Sequence, residues 1–263
     1  MSAQFIRTSI ANGVGTLTLN RPDRLNAVDD VMAREVLEGA GDLLDDAGVR
    51  VLVITGEGRA FSAGGDVKFL GNALRNREYD RALSLVKMGG DLVRLLRSAP
   101  KPVLASLNGI AAGGGANLAL ACDLRIASDR AGIGEVFHRI GLHVDWGGTY
   151  FLPELLGPSQ ALEVIWESDV VPAERCLALG LVNRMVPHDQ LGPETLAWAA
   201  RLAALPPVAA GLTKMAVYEK TRDDLNRALS MEEEHQDRCF RSQDALEGFA
   251  SFSEKRAARF EGR

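Results

Sequence analysis

A basic surplus is the first thing this chain lacks: 30 Lys and Arg stand against 35 Asp and Glu, a formal charge of −5. Without a domain-wide positive field it does not read as a nucleic-acid binder. Cysteine is scarce, with Cys122, Cys176 and Cys239 far apart and odd in number. That count builds no disulfide framework, and buried reduced thiols in the cytoplasm are the expectation. Long apolar runs are missing as well. Nothing approaches the ~20 residues of a membrane span. The opening MSAQFIRTSI has no basic start followed by an apolar run, so no signal peptide is read.

Apolar residues make up 46% of 263 positions, enough for one large domain or a domain with a small appendage. Phe5–Ile10 and Val14–Leu19 alternate around Asn12-Gly13, a hairpin signal. Asp29 or Asp30 is placed to cap a helix reaching about Asp46. Val49–Thr55 and Val103–Leu107 are nearly continuous apolar runs, hence buried strands. Residues 71–80 read as a polar loop, and Asp80 to Arg97 as a helix. Leu181–Val186 is the last strand. Beyond it come helical patterns at Leu191–Leu205, Val208–Lys220, Leu225–Arg241 and Asp244–Arg259. The expectation is a mixed α/β core over residues 1–190, in rough ββα units, and a helical region over 191–263.

Two stretches carry chemistry. Pro102 to Asp123 runs from a buried strand through Asn108-Gly109 and Gly113-Gly114-Gly115 into an Ala/Leu-rich helix. Ala60 to Val67 repeats the pattern with Gly64-Gly65, and Asp66 is placed to cap the turn that follows. Each unit aims unpaired backbone N–H groups and a positive helix end at one point, where an anion or a developing oxyanion fits. Each alone is equally a tight packing turn. Together they make a two-donor oxyanion hole worth testing. The triplet lacks the third glycine of a dinucleotide fingerprint, and no Walker lysine follows it.

Four stretches fall in order: Asn20-Arg21-Pro22 with Leu25-Asn26-Ala27; Phe61 to Asp66; Asn108-Gly109 through Gly113–Gly115 to Cys122-Asp123; and Gly147-Gly148-Thr149. Together they resemble the crotonase superfamily, the enoyl-CoA hydratases and isomerases. The resemblance implies a spiral of ββα turns with a C-terminal helical trimerisation region. It implies an acyl-CoA thioester substrate, coenzyme A as part of that substrate and no other cofactor, and a homotrimer or dimer of trimers. It assigns the oxyanion donors to Gly65 and Gly114, worth about 3–4 kcal/mol each by mutational precedent. It sets Arg24 near CoA phosphate or adenine and Asp66, Val67 and Lys68 along the CoA channel, with Ala63, Asn117 and Phe137 completing the substrate-binding set. Leu70, Leu74, Met88 and Leu92 are the expected pocket walls.

Departures from the pattern decide the reaction class. Hydratases of the family use two glutamates, and those positions hold Asn117 and Phe137 here. Glu135 is out of register by two. Ordinary enoyl-CoA hydration is therefore not the expected main activity. Asp145, three positions before Gly148, stands where several isomerases of the family carry their single acid. Its neighbourhood resembles the ring-epoxide and oxepin isomerases of phenylacetate degradation. One carboxylate suffices for an allylic shift, and apolar Trp146, Val144 and Phe137 would raise its pKa. Asp145 would also serve as a helix N-cap. Two other readings remain: a hydratase or lyase using Glu135 or a water held by Asn117, and a non-catalytic acyl-CoA binder. No metal site is read from His138, His143 and Asp145, whose spacing matches none. Glu232–Glu234 reads as a solvated helix face.

Overall fold

The computed structural model describes residues 3–263. Strands β1 (Ile6–Ala11) and β2 (Val14–Leu19) pair as the expected hairpin. Its turn residues Asn12 and Gly13 both have positive φ, +52° and +79°, the twist a two-residue hairpin needs. Helix α1 (Asp30–Asp45) starts at Asp29, whose side chain accepts the Met32 N–H at 3.0 Å. It buries Met32, Val36, Ala40, Leu43 and Leu44, a stripe at helical spacing, against the sheet.

The next three turns of chain repeat one plan. The first holds β3 (Val51–Gly56), β4 (Ala60–Ser62), α2 (Val67–Arg75) and α3 (Tyr79–Ser98). The second holds β5 (Val103–Leu107), β6 (Ile110–Ala112) and α4 (Gly114–Ala121). The third holds β7 (Leu124–Ser128), β8 (Gly132–Gly134), a 3-10 turn at Val136–Ile140, then α5 (Gly148–Leu156) and α6 (Pro158–Glu167). In each, the first strand extends a six-stranded sheet and the second extends a four-stranded sheet. The new pairings are all parallel. Strand β9 (Val170–Pro172), α7 (Ala173–Ala178) and β10 (Arg184–Val186) complete the two sheets. This is the expected ββα spiral.

Helices α8 (Leu191–Ala203), α9 (Pro207–Glu219), α10 (Arg222–Phe240) and α11 (Gln243–Glu254) close the chain. They share core with the strands. Trp198 and Ala199 of α8 pack with Val51, Val53 and Leu104, and Leu225, Leu229 and Phe240 of α10 join the main core. Among the described residues, no single helix is long and apolar enough to cross a membrane. All three cysteines are free, and burial pushes the Cys176 thiol up to about 11.

Three expectations are corrected. Residues 71–75 are helical, because Asp66 caps α2 through the Lys68 and Phe69 N–H groups while Leu70, Ala73 and Leu74 face inward. The last strand shrinks to Arg184–Val186, since the Asn183 side chain accepts the Arg125 N–H that strand pairing would use. Helix α11 stops at Glu254, where Lys255 turns left-handed at φ +55°.

Candidate active site

Parallel pairing of β4 with β6 sets the ends of the two glycine stretches side by side. They touch: a Cβ on Gly64 would lie 2.5 Å from the Ala112 carbonyl oxygen and 3.1 Å from the Gly114 nitrogen, and Gly64 has φ +80°. Only glycine meets both conditions. Gly65 is fixed by the loop holding Val28, whose N–H donates to Gly64 C=O and whose C=O accepts the Asp66 N–H. Gly114 is the first residue of α4. Among the described residues, neither the Gly65 nor the Gly114 N–H donates to any acceptor.

Both glycines line a cavity of about 430 Å³. Arg24, Ala63, Asp66, Val67, Lys68, Phe137 and Asp145 line it too, so it gathers nearly all the residues singled out from the sequence. Asn117 is the exception. It is fully buried, and its Nδ2 donates to the Asp145 backbone oxygen at 2.8 Å. Glu135 is also outside the cavity and fully buried, and among the described residues its carboxyl has one hydrogen-bond partner, Asn117 Nδ2 at 3.4 Å. Burial pushes the Glu135 carboxyl up to about 8. Of the expected walls only Leu70 takes part; Leu85 and Val86 supply the α3 side instead of Met88 and Leu92. Leu74 and Leu92 point into the core at 1% and 2% exposure. A second cavity of about 330 Å³, against Arg94, Tyr218 and Leu225, holds none of the candidate groups.

Two carboxylates reach the main cavity. Asp66 is committed: Oδ1 caps α2 and Oδ2 pairs with Arg21 Nη1 at 3.0 Å, an arginine that also holds Asp29 at 3.1 Å. Among the described residues, Asp145 Oδ1 has no hydrogen-bond or ion-pair partner, while Oδ2 accepts from Gln236 Nε2 at 2.9 Å. Burial pushes the Asp145 carboxyl up to about 7, the Gln236 bond pulls it down, and the nearby Glu232 charge pushes it up again. That is the range in which a carboxylate serves as a base near neutral pH.

Asp145 does not cap α5. That place goes to Glu232, which accepts the Gly147 N–H at 2.7 Å, the Thr149 N–H at 2.9 Å and the Thr149 hydroxyl. So Glu232 is a buried residue at 1% exposure, and the expected solvated face begins only at Glu233. Helix α10 also supplies Gln236 and Phe240 to the cavity, and α11 supplies Phe252. Sequence reading missed these three and placed Glu232 on a solvated face. A signal existed: Leu225, Leu229, Glu232, Gln236 and Phe240 lie on one stripe of α10, with two polar residues at core positions. His143 turns Nδ1 to the Val144 carbonyl and Nε2 toward His235.

The chain resembles known proteins over nearly its full length. Residues 9–263 match the family model described as enoyl-CoA hydratase/isomerase. A crotonyl-CoA hydratase of Syntrophomonas wolfei is 36% identical over 250 residues, covering 94% of each chain. A 1,2-epoxyphenylacetyl-CoA isomerase of Escherichia coli is 35% identical over 260 residues, covering 99% of each. A crystal structure of an enoyl-CoA hydratase from Mycobacterium avium subsp. paratuberculosis superposes with a TM-score of 0.90 at 30% identity, covering 99% of this chain and all of that one. With fold, cavity and sequence in agreement, the chain belongs to the enoyl-CoA hydratase/isomerase family.

Proposed function

We propose that this enzyme is an acyl-CoA isomerase that moves a double bond, with Asp145 as its acid–base group. The observation that carries this is the uncommitted oxygen of Asp145, on the one cavity carboxylate not spent on a cap or an ion pair. In this reading Asp145 Oδ1 takes a proton from an acidic carbon of the acyl group. The electron pair moves onto the thioester oxygen, where the Gly65 and Gly114 N–H groups receive the developing charge. The proton then returns at a different carbon, so one carboxylate closes the cycle. Arg24 and Lys68, at the cavity rim, are suited to the CoA phosphates as positive groups. Self-association into a trimer or a dimer of trimers is the matching expectation for the helical region.

Hydration is the second reading, favoured by relatives named as hydratases. Against it, neither Glu135 nor Asn117 lines the cavity, and Asp66, the other carboxylate there, is spent on the α2 cap and the Arg21 ion pair. The test is a panel of 2-enoyl-, 3-enoyl- and ring-opened acyl-CoAs, followed by NMR in 18O-labelled water. Double-bond migration without solvent oxygen supports isomerisation, and label in the product establishes hydration. Asp145→Asn should abolish turnover while leaving CoA-ester binding nearly intact. Unchanged turnover in that variant rules out the mechanism.

A further inference from the structure

A polar side chain on an apolar helix stripe needs a reason, because burying an amide costs free energy unless every atom is bonded. Gln236 sits on the α10 stripe at 1% exposure, between Leu229 and Phe240. Its bonding is complete and all of it is spent on one segment. Oε1 accepts the His143 N–H at 3.0 Å, and Nε2 donates to the His143 carbonyl at 2.9 Å and to Asp145 Oδ2 at 2.9 Å. Two of these bonds pin the backbone that carries Asp145. The third fixes rotation of the carboxylate itself, which otherwise exchanges its two oxygens freely.

We propose that Gln236 is a positioning residue for the proton transfer, holding Oδ2 of Asp145 so that Oδ1 faces the acidic carbon of the substrate. This rests on the reading of Asp145 as the acid–base group. A neutral donor suits the task. An arginine or lysine in the same place would hold the carboxylate ionised and leave it a poor proton acceptor. Among the described residues, no cation contacts the Asp145 carboxylate; the titratable groups around it are Glu232 and His235 on α10, His143 on its own segment, and Glu135 beyond Asn117. The Gln236 amide is thus its one side-chain donor.

The test compares Gln236→Met, which keeps the volume and removes the polar atoms, with Gln236→Glu, which keeps an acceptor for His143. Two readouts are taken: kcat and KM of a 3-enoyl-CoA against pH, and the Asp145 carboxyl titration by 13C NMR in the ligand-free enzyme. Expected are a kcat lower by roughly tenfold or more, a KM within about threefold, and an Asp145 midpoint raised by on the order of one pH unit, with the kcat profile moving alongside. The upward sign follows because the lost donor favours the ionised form. If both variants keep kcat and the midpoint while Asp145→Asn is inactive, the positioning role is overturned and the Asp145 reading stands. A lower melting temperature with unmoved kcat and midpoint also overturns it, as that is packing alone. Turnover by Asp145→Asn overturns both.

Discussion

Glu232 and Gly147 lie 85 positions apart in the chain, yet the Glu232 carboxylate accepts the Gly147 N–H at 2.7 Å. The same carboxylate takes the Thr149 N–H at 2.9 Å and the Thr149 hydroxyl. One buried side chain thereby satisfies the open N-terminus of α5 and ties it to α10. Burial pushes the Glu232 carboxyl up to about 7, and the three donors pull the other way. Glu232→Ala strands the buried Gly147 N–H and the half-buried Thr149 N–H, so it should cost roughly 2–4 kcal/mol and lower the melting temperature by on the order of 10 °C. Calorimetry reads this directly. A variant that melts with the parent would show that the bonds carry no net stability.

Activity should follow the ionisation of Asp145. A base must be deprotonated to accept a proton, and burial raises the Asp145 carboxyl to about 7. The rate should therefore be low at pH 5 and rise with pH through about 7. The kcat profile of the wild type against pH checks this. A flat profile between pH 5 and 8 is incompatible with Asp145 as the base.

Much of this was legible before any coordinates, for local physical reasons. Glycine stretches at 64–65 and 113–115 announce themselves because a turn that touches another backbone tolerates no Cβ. The Asn12-Gly13 hairpin and the Asp66 cap are equally local rules. Glu232 and Gln236 were not recognised, because their partners are some 83–93 residues distant and an acidic run ordinarily faces water. The substrate-facing place given to Asn117 failed for the same reason: its Nδ2 is taken by the Asp145 carbonyl, a pairing that only the fold creates. The α3 wall was off by part of a helical turn, since Leu85 and Met88 both fit the apolar spacing and packing selects between them.

Glu135 should make stability depend on pH. Its carboxyl is raised by burial from 4.5 to about 8, so the folded state keeps it protonated where the unfolded chain has released the proton. The sign follows: its contribution is whole below about pH 4.5 and is lost as pH rises through about 8. Glu135→Gln removes this term. Relative to the parent, the variant should gain on the order of 3 kcal/mol between pH 5 and pH 8. Denaturant midpoints of both proteins at the two pH values measure the difference. Parallel losses would mean that the fold does not raise the Glu135 carboxyl above its ordinary range.

Trp146 is seated in a notch on α3. A Cβ on Gly89 would fall 1.8 Å from the indole Nε1, and the same ring lies 3.4 Å from where a Gly114 Cβ would be. The indole therefore spans from α3 to the proposed oxyanion donor and walls the cavity beside Asp145. Gly89→Ala must displace the ring. The expected result is kcat/KM lower by at least about tenfold at a stability cost of roughly 1–3 kcal/mol. Retained kcat/KM would show that the cavity shape at Trp146 does not govern turnover.

Helix α9 presents an apolar row to solvent: Val208, Leu212 and Met215 are 74%, 60% and 48% exposed. Their spacing of four and then three residues places them on one face, and Leu205 and Leu196 lie nearby in sequence at 43% and 59%. Such a row on a monomer loses the hydrophobic term at every position, and the prediction is that it is covered in solution. The trimer expected for this family would cover it with further copies of the chain. Sedimentation velocity should then give an assembly larger than one chain of 28.3 kDa. Leu212→Glu should shift that assembly toward smaller species, because a buried unpaired carboxylate opposes association. An exposed Glu234→Gln change on α10 serves as the control and should leave the assembly unchanged. A monomer at all concentrations would overturn the assembly, and an assembly indifferent to Leu212→Glu would place the contact elsewhere.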